Sequence, residues 1–239
     1  YPYKAEIQRV ELEGFLDAAL VAIDDEAGGN GNGEVNPAER IRLSFSVTNH
    51  AGNGDAESVR SILRSSNRFA EVINGDINFG NVRAGQTVES QDRAVIAIAS
   101  DCPDGEQITL VLETTAHNGI SSIDAFRLDP FAPDLVVMNL PDPGDIGGDE
   151  TVLNLELFNN GRTATANLNA TLVSDSWGIE ITRAVASYQA IESGETAAAD
   201  EGFTLSTHNS YLPGMLVPLT LSLESDGVQV GEIDFQLQI

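Results

Sequence analysis

Lysine is almost missing from this chain. Lys4 is the only one among 12 basic residues, which face 37 acidic ones and leave a formal charge of −25 over 239 residues. Contact with nucleic-acid phosphates or an anionic membrane needs clustered Lys and Arg, so neither is expected as a partner. Cysteine is equally scarce. A lone Cys102 excludes a disulfide within the chain and any zinc site built on several thiolates. No apolar run approaches the ~18 residues that cross a bilayer as a helix, so no membrane span is expected. No phosphate-binding loop, dinucleotide fingerprint or zinc-helix motif is present. The three histidines, His50, His117 and His208, lie in turn-like sequences, and no fixed Ser/His or Cys/His pattern surrounds them. With 37 carboxylates, paired acids are inevitable and carry no information. No catalytic residue is therefore assigned, and the chain reads as a non-enzyme.

What is present is an internal repeat. Phe79-Gly80-Asn81-Val82-Arg83-Ala84-Gly85-Gln86-Thr87 returns as Tyr188-Gln189-Ala190-Ile191-Glu192-Ser193-Gly194-Glu195-Thr196, an offset of 109. The same offset carries Val59 to Leu168, Leu63 to Leu172, Ile108 to Val217, Leu110 to Leu219 and Phe126 to Phe235. One residue further along, Leu43, Phe45, Val47 and Asn49 match Leu153, Leu155, Leu157 and Asn159. Within each copy apolar and polar residues alternate, as in Ile41-Arg42-Leu43-Ser44-Phe45-Ser46-Val47. A period of two gives strands with one buried and one wet face. Val59, Ile62 and Leu63 fit a helix as well, but Leu168, Ala170 and Leu172 alternate, which favours a strand in both copies. About seven short strands in ~100 residues predict an all-β fold of two tandem immunoglobulin-like Greek-key sandwiches. The expected bounds are an N-terminal extra strand at 1–19, module 1 at 20–128, a Pro-containing linker at 129–133, and module 2 at 134–239. With no Cys…Trp…Cys pattern each core must hold by packing, and Trp177 is expected at a core edge.

One stretch carries metal chemistry. Residues 24–39 read Asp-Asp-Glu-Ala-Gly-Gly-Asn-Gly-Asn-Gly-Glu-Val-Asn-Pro-Ala-Glu. With Gly28 at position 1 of a twelve-residue calcium loop, Asn30 and Asn32 fall at positions 3 and 5, and Gly33 makes the sharp turn at 6. Glu34 offers a backbone carbonyl at 7, Val35 is apolar at 8, Asn36 is at 9 and Glu39 closes the shell at 12. A hard cation takes six to eight oxygens at ~2.3–2.6 Å, and alternate residues of a tight loop aim side chains at one point. Position 1 has no carboxylate, so Asp25 or Asp24 would substitute from upstream, and the neutral Asn30 and Asn32 imply weak to moderate affinity. The competing reading is a Gly/Asn-rich surface turn that binds nothing. In the second copy Asp142-Pro143-Gly144-Asp145-Ile146-Gly147-Gly148-Asp149-Glu150 lacks the spacing, and no equivalent site is expected.

Gly-Asn-Gly-Asn-Gly-Glu-Val-Asn-Pro-Ala-Glu (29–39), the following strand ending in Thr48-Asn49, Phe79-Gly80-Asn81-Val82 and the turn at Pro103-Asp104-Gly105 resemble a known pattern. It is that of bacterial Ig-like modules with a GNGDG/NPGE-type loop, found on secreted surface proteins and beside gingipain-type and subtilisin-like peptidases. The likeness covers 20–128 well and 134–239 more loosely, and none of the peptidase catalytic sequence is present. It implies an extracellular, calcium-associated structural or accessory role. The family loop carries Asp at the position of Asn32 and Gly at that of Ala38.

The N-terminal surplus holds Ile7, Val10 and Leu12 between glutamates, which suggests a further strand. An unpaired strand templates association, so it is read as an extra strand, the remnant of a preceding domain, or a donor strand for another molecule. The expected function is a non-catalytic, calcium-stabilised structural, assembly or adhesion module at the cell surface, with a filament subunit as one form. Its expected partners are proteins, through strand addition or a surface partner. Two other readings stay open: accessory C-terminal domains of a secreted peptidase, and a carbohydrate-binding module, for which Trp177 and four tyrosines are thin support.

Overall fold

Where the sequence alternates, the backbone extends. The computed structural model describes residues 16–50, 54–142, 150–207 and 214–238, and among these there are nineteen strands and no helix. Every pairing between strands is antiparallel. The chain divides into two compact units, Tyr1–Phe131 and Ala132–Ile239.

The first unit contains β1 (Leu16–Asp24), β2 (Arg40–Asn49), β3 (Ala56–Ser65), β4 (Ala70–Asn74), β5 (Asp76–Val82), β6 (Thr87–Glu89), β7 (Ala94–Ile98), β8 (Ile108–Thr115) and β9 (Ser121–Leu128). One sheet runs β1-β2-β7-β4, with β6 also beside β2, and the other runs β5-β3-β8-β9. The inward residues of β2, Ile41, Leu43, Phe45 and Val47, share one core with Val59 and Leu63 of β3 and Ile108, Leu110 and Leu112 of β8. Phe45 and Phe126 meet across it with ring centroids 5.3 Å apart. Nine strands appear where about seven were expected. β6 is a short addition, and β4 and β5 are one run that changes sheet at Gly75. There Leu63 N–H donates to the Gly75 carbonyl at 2.9 Å, and a Cβ on Gly75 would lie 2.5 Å from the Leu63 oxygen. Only glycine permits that approach.

The second unit contains β10 (Leu135–Met138), β11 (Thr151–Leu153), β12 (Glu156–Asn159), β13 (Leu168–Val173), β14 (Ile179–Arg183), β15 (Val185–Tyr188), β16 (Thr196–Ala198), β17 (Phe203–Thr207), β18 (Leu216–Ser225) and β19 (Val228–Gln238). Its sheets are β10-β12-β16, β11-β17-β14 and β15-β13-β18-β19. Registers recur at the sequence offset: Leu63 faces Leu112 as Leu172 faces Leu221, and Leu110 faces Phe126 as Leu219 faces Phe235. One strand differs. β2 is continuous, but its counterpart breaks into β11 and β12. β1 backs β2 from Asn49 to Arg42, whereas β10 reaches only Glu156. The next residue, Asn139, has φ +54°, and Pro141 has no N–H to donate, so the backing strand stops and residues 154–155 lose their ladder partner. The Leu155 carbonyl accepts from Ala199 N–H at 3.4 Å, as Phe45 accepts from Ser90 N–H, and the Tyr188 hydroxyl adds a second donor at 3.2 Å that Phe79 has none to match.

Several sequence expectations are corrected. Leu16–Ala19 belong to β1, paired with Ser46–Asn49, and are not part of a separate N-terminal element ending at 19. The strand expected around Ile7, Val10 and Leu12 lies outside the described residues. The Pro-containing 129–133 segment is tied down at Phe131 and at Ala132. Phe131 N–H donates to Val35 O at 2.8 Å in the first unit, and in the second Arg162 N–H donates to Ala132 O at 3.0 Å. Trp177, expected at a core edge, is 77% exposed in the turn between β13 and β14.

Candidate functional site: the loop between the first two strands

The candidate metal loop joins β1 to β2. Its ends are closed by Arg40 N–H donating to Gly28 O at 2.9 Å, and by Gly29 N–H donating to Asp25 O at 2.7 Å. Here lies the reason for glycine at position 1. A Cβ at Gly28 would sit 2.5 Å from the Arg40 carbonyl oxygen, and one at Gly29 would sit 2.7 Å from the Glu39 carboxyl carbon. A side chain at position 1 has no room, so its carboxylate has to come from elsewhere. Asp25 reaches in from three residues upstream, and its Oδ2 accepts the Gly33 N–H at 3.2 Å.

Five of the six sequence-derived residues are brought together by side chain. Glu39 Oε1 accepts from Asn30 N–H and Oε2 from Asn36 N–H, both at 3.0 Å. Asn30 Oδ1 accepts from Asn32 N–H at 2.9 Å, and Asn32 Oδ1 accepts from Glu34 N–H at 2.8 Å. Asn36 Oδ1 receives the Nδ2 groups of Asn30 at 2.9 Å and Asn32 at 3.0 Å. Glu34 enters this network through its backbone. Gly31 and Gly33 turn the chain at φ +74° and +79°.

Asp25 is 2% exposed and Glu39 6%, and neither joins an ion pair among the described residues. Burial raises the Glu39 pKa above the usual carboxylate range. The two backbone N–H donors pull it partly back, and the Asp25 charge raises it further. Two acids buried side by side without a counter-charge are costly. Each Glu39 oxygen accepts one N–H and keeps a second lone pair. Carboxylate and amide oxygens are the donor chemistry of a hard divalent cation, so the residues fit calcium. Among the described residues, no group of three or more His, Cys, Asp or Glu side chains gathers elsewhere or here. The loop therefore has two carboxylates, with amides making up the rest. Most of the second-copy segment, 143–149, lies outside the described residues.

The remaining chemistry-bearing residues are placed as follows. Cys102 is buried in the first core, and its thiol pKa is pushed up to about 12 by burial, then by Glu106 and Asp101. It is not the exposed thiol that an intermolecular link needs. His50, a half-exposed side chain, pairs with Asp17 of β1, a partner the sequence reading missed because 33 residues separate them. His117 is exposed, and His208 lies outside the described residues. Asn169-Ala170-Thr171 matches an N-glycosylation sequon, and Asn169 is exposed on β13 and accepts a bond from the Ser187 hydroxyl at 3.2 Å.

No family model matches the chain, and no curated protein matches it. Among solved structures it is similar to the D00-D0 domain of Intimin, at 8% identity over 91% of this chain and 98% of that one, with a TM-score of 0.32. At that score the match decides neither topology nor role.

Proposed function

We propose that the chain is a non-catalytic structural module of an extracellular surface, made of two tandem immunoglobulin-like Greek-key sandwiches and stabilised by calcium in the β1–β2 loop. Asp25, Asn30, Asn32, Asn36 and Glu39 supply side-chain oxygens, with Glu34 contributing its carbonyl. The observation that carries this reading is the buried Asp25–Glu39 pair, which has no basic partner among the described residues, since a divalent cation would offset that charge. The recurring registers support the tandem architecture, and the acidic, lysine-poor surface suits a salty, calcium-containing medium. The partner is a protein, met through adhesion or strand addition in an assembly.

Thermal denaturation of the full chain with CaCl2, with MgCl2 and with EDTA tests the loop. Calcium should raise the first unit's transition, and Glu39→Ala should remove that gain. An identical midpoint in calcium and EDTA sinks the metal reading. Light scattering with and without calcium tests assembly, where a mass fixed at one chain across concentration sinks self-association.

Exposed Trp177 favours a second reading, carbohydrate recognition, because an aromatic face in solvent can stack on a sugar ring. Its fluorescence should then shift on a glycan array's best ligand, and calorimetric binding of that ligand should be lost in Trp177→Ala.

A further inference from the structure

We infer that the β1–β2 loop is a latch on the last residue of the first unit, and that a cation in the loop tightens it. This rests on the calcium reading above, but the latch itself is a matter of geometry. Phe131 is held on both of its backbone polar groups: its N–H donates to Val35 O at 2.8 Å, and its carbonyl accepts from Asn36 Nδ2 at 2.8 Å. Just before it, the Pro130 carbonyl accepts from Gly105 N–H at 3.2 Å. Pro130 has no N–H, so Phe131 carries the first amide after Asp129 that can tie the chain down.

Asn36 is the part that moves information. It lies between Asn32 and Glu39 and is 6% exposed. Its backbone N–H is fixed by Glu39 Oε2, its Oδ1 faces the loop interior between Asn30 and Asn32, and its Nδ2 faces Phe131. An amide presents oxygen on one side and nitrogen on the other, so its two orientations exchange both contacts at once. A cation drawing oxygens inward holds the Asn36 oxygen toward the loop. The same plane then keeps its N–H on the Phe131 carbonyl. Binding in the loop and anchoring of residue 131 are thereby one equilibrium, and linkage makes the coupling equal in both directions.

The test uses the full chain, titrated with CaCl2 by calorimetry, with amide exchange followed at Phe131. Saturating calcium should slow exchange at Phe131 about fivefold or more, and Phe131→Pro, which removes the donor to Val35 together with the ring, should weaken calcium binding by a similar factor. Phe131→Ala keeps both backbone bonds and should bind calcium as the wild type does. If calcium binds but Phe131 exchange does not change, the latch is overturned while the metal reading stands. If Phe131→Ala weakens binding as much as Phe131→Pro, ring packing is responsible and the latch is likewise overturned. Absence of any calcium heat removes the metal reading and the switch together. The wild-type exchange experiment decides the question even if the proline variant misfolds.

Discussion

Asn49 and Asn159 occupy the same node of two hydrogen-bond networks. Both are fully buried at the end of the matching strand. Asn49 Nδ2 donates to Gly54 O at 2.8 Å and Val82 O at 3.0 Å, and Asn159 Nδ2 donates to Thr163 O at 2.8 Å and Ile191 O at 3.0 Å. Their backbones bond the same turn, Gly85–Gln86 in one unit and Gly194–Glu195 in the other. The oxygens differ. Asn159 Oδ1 accepts Asp134 N–H at 3.1 Å and Gly161 N–H at 3.0 Å, while Asn49 Oδ1 has no partner among the described residues.

Truncation should cost stability in both units. Asn159→Ala strands four backbone groups, two of them in buried bonds, and should lose about 2 kcal/mol or more, since each unmet buried partner costs about 1–3 kcal/mol in isolation. Among the described residues Asn49→Ala strands two, the Gly54 and Val82 carbonyls, and should lose about 1 kcal/mol or more. Urea denaturation of both variants measures this, and a variant as stable as the wild type would contradict the assignment.

Thr204 offers a stabilising change. It is buried, and its Oγ1 has no partner among the described residues. At the matching register of the first unit, between Arg42 and Asn74, stands Val95, whereas Thr204 lies between Val152 and Arg183. Thr204→Val keeps the shape and removes the orphan hydroxyl, so it should gain about 1 kcal/mol. An unchanged or lower urea midpoint would show that the hydroxyl is satisfied in solution.

Ala38 has φ +65°, a conformation that costs a non-glycine residue about 1–2 kcal/mol. Glycine removes that cost but adds chain entropy to the unfolded state, about 0.5–1 kcal/mol. Ala38→Gly should raise stability by up to about 1 kcal/mol, and a clear loss would mean that the residue relaxes out of this geometry.

The strands were legible because their alternation depends on neighbours two apart, and the repeat because packing and turns constrain the same positions twice. Asn30, Asn32, Asn36 and Glu39 were legible as a spacing. Long-range approaches were not. Nothing in Gly28 announces that Arg40 lies 2.5 Å from where its Cβ would be, so its missing carboxylate read as a weakness when it is a steric requirement. The break between β11 and β12 depends on how far β10 reaches, and the His50–Asp17 pair on the β1–β2 register. Gly28→Asp is thus expected to destabilise the first unit, by about 1–3 kcal/mol as overpacking does, and to leave calcium affinity no higher. A tighter calcium isotherm for that variant would refute the steric account.

The Glu39 carboxyl fixes the sign of a pH effect. Its pKa is raised in the folded state by burial, with Asp25 adding to it, from an ordinary 4.5. A group raised in the folded state binds its proton more tightly there, so its favourable contribution is complete below the ordinary value and fades as pH rises through the raised one. Without calcium, the first unit should lose stability on going from acid toward neutral pH. General repulsion at −25 acts in the same direction, so the diagnostic is the difference between wild type and Glu39→Ala, whose slope should be shallower. Calcium inverts the preference, because it binds the ionised form. At a hundred times its dissociation constant it should return about 2.7 kcal/mol, and most of that gain should vanish where Glu39 is protonated. Parallel pH–stability curves for wild type and Glu39→Ala, with a calcium gain independent of pH, would mean that Glu39 is neither the titrating group nor a ligand.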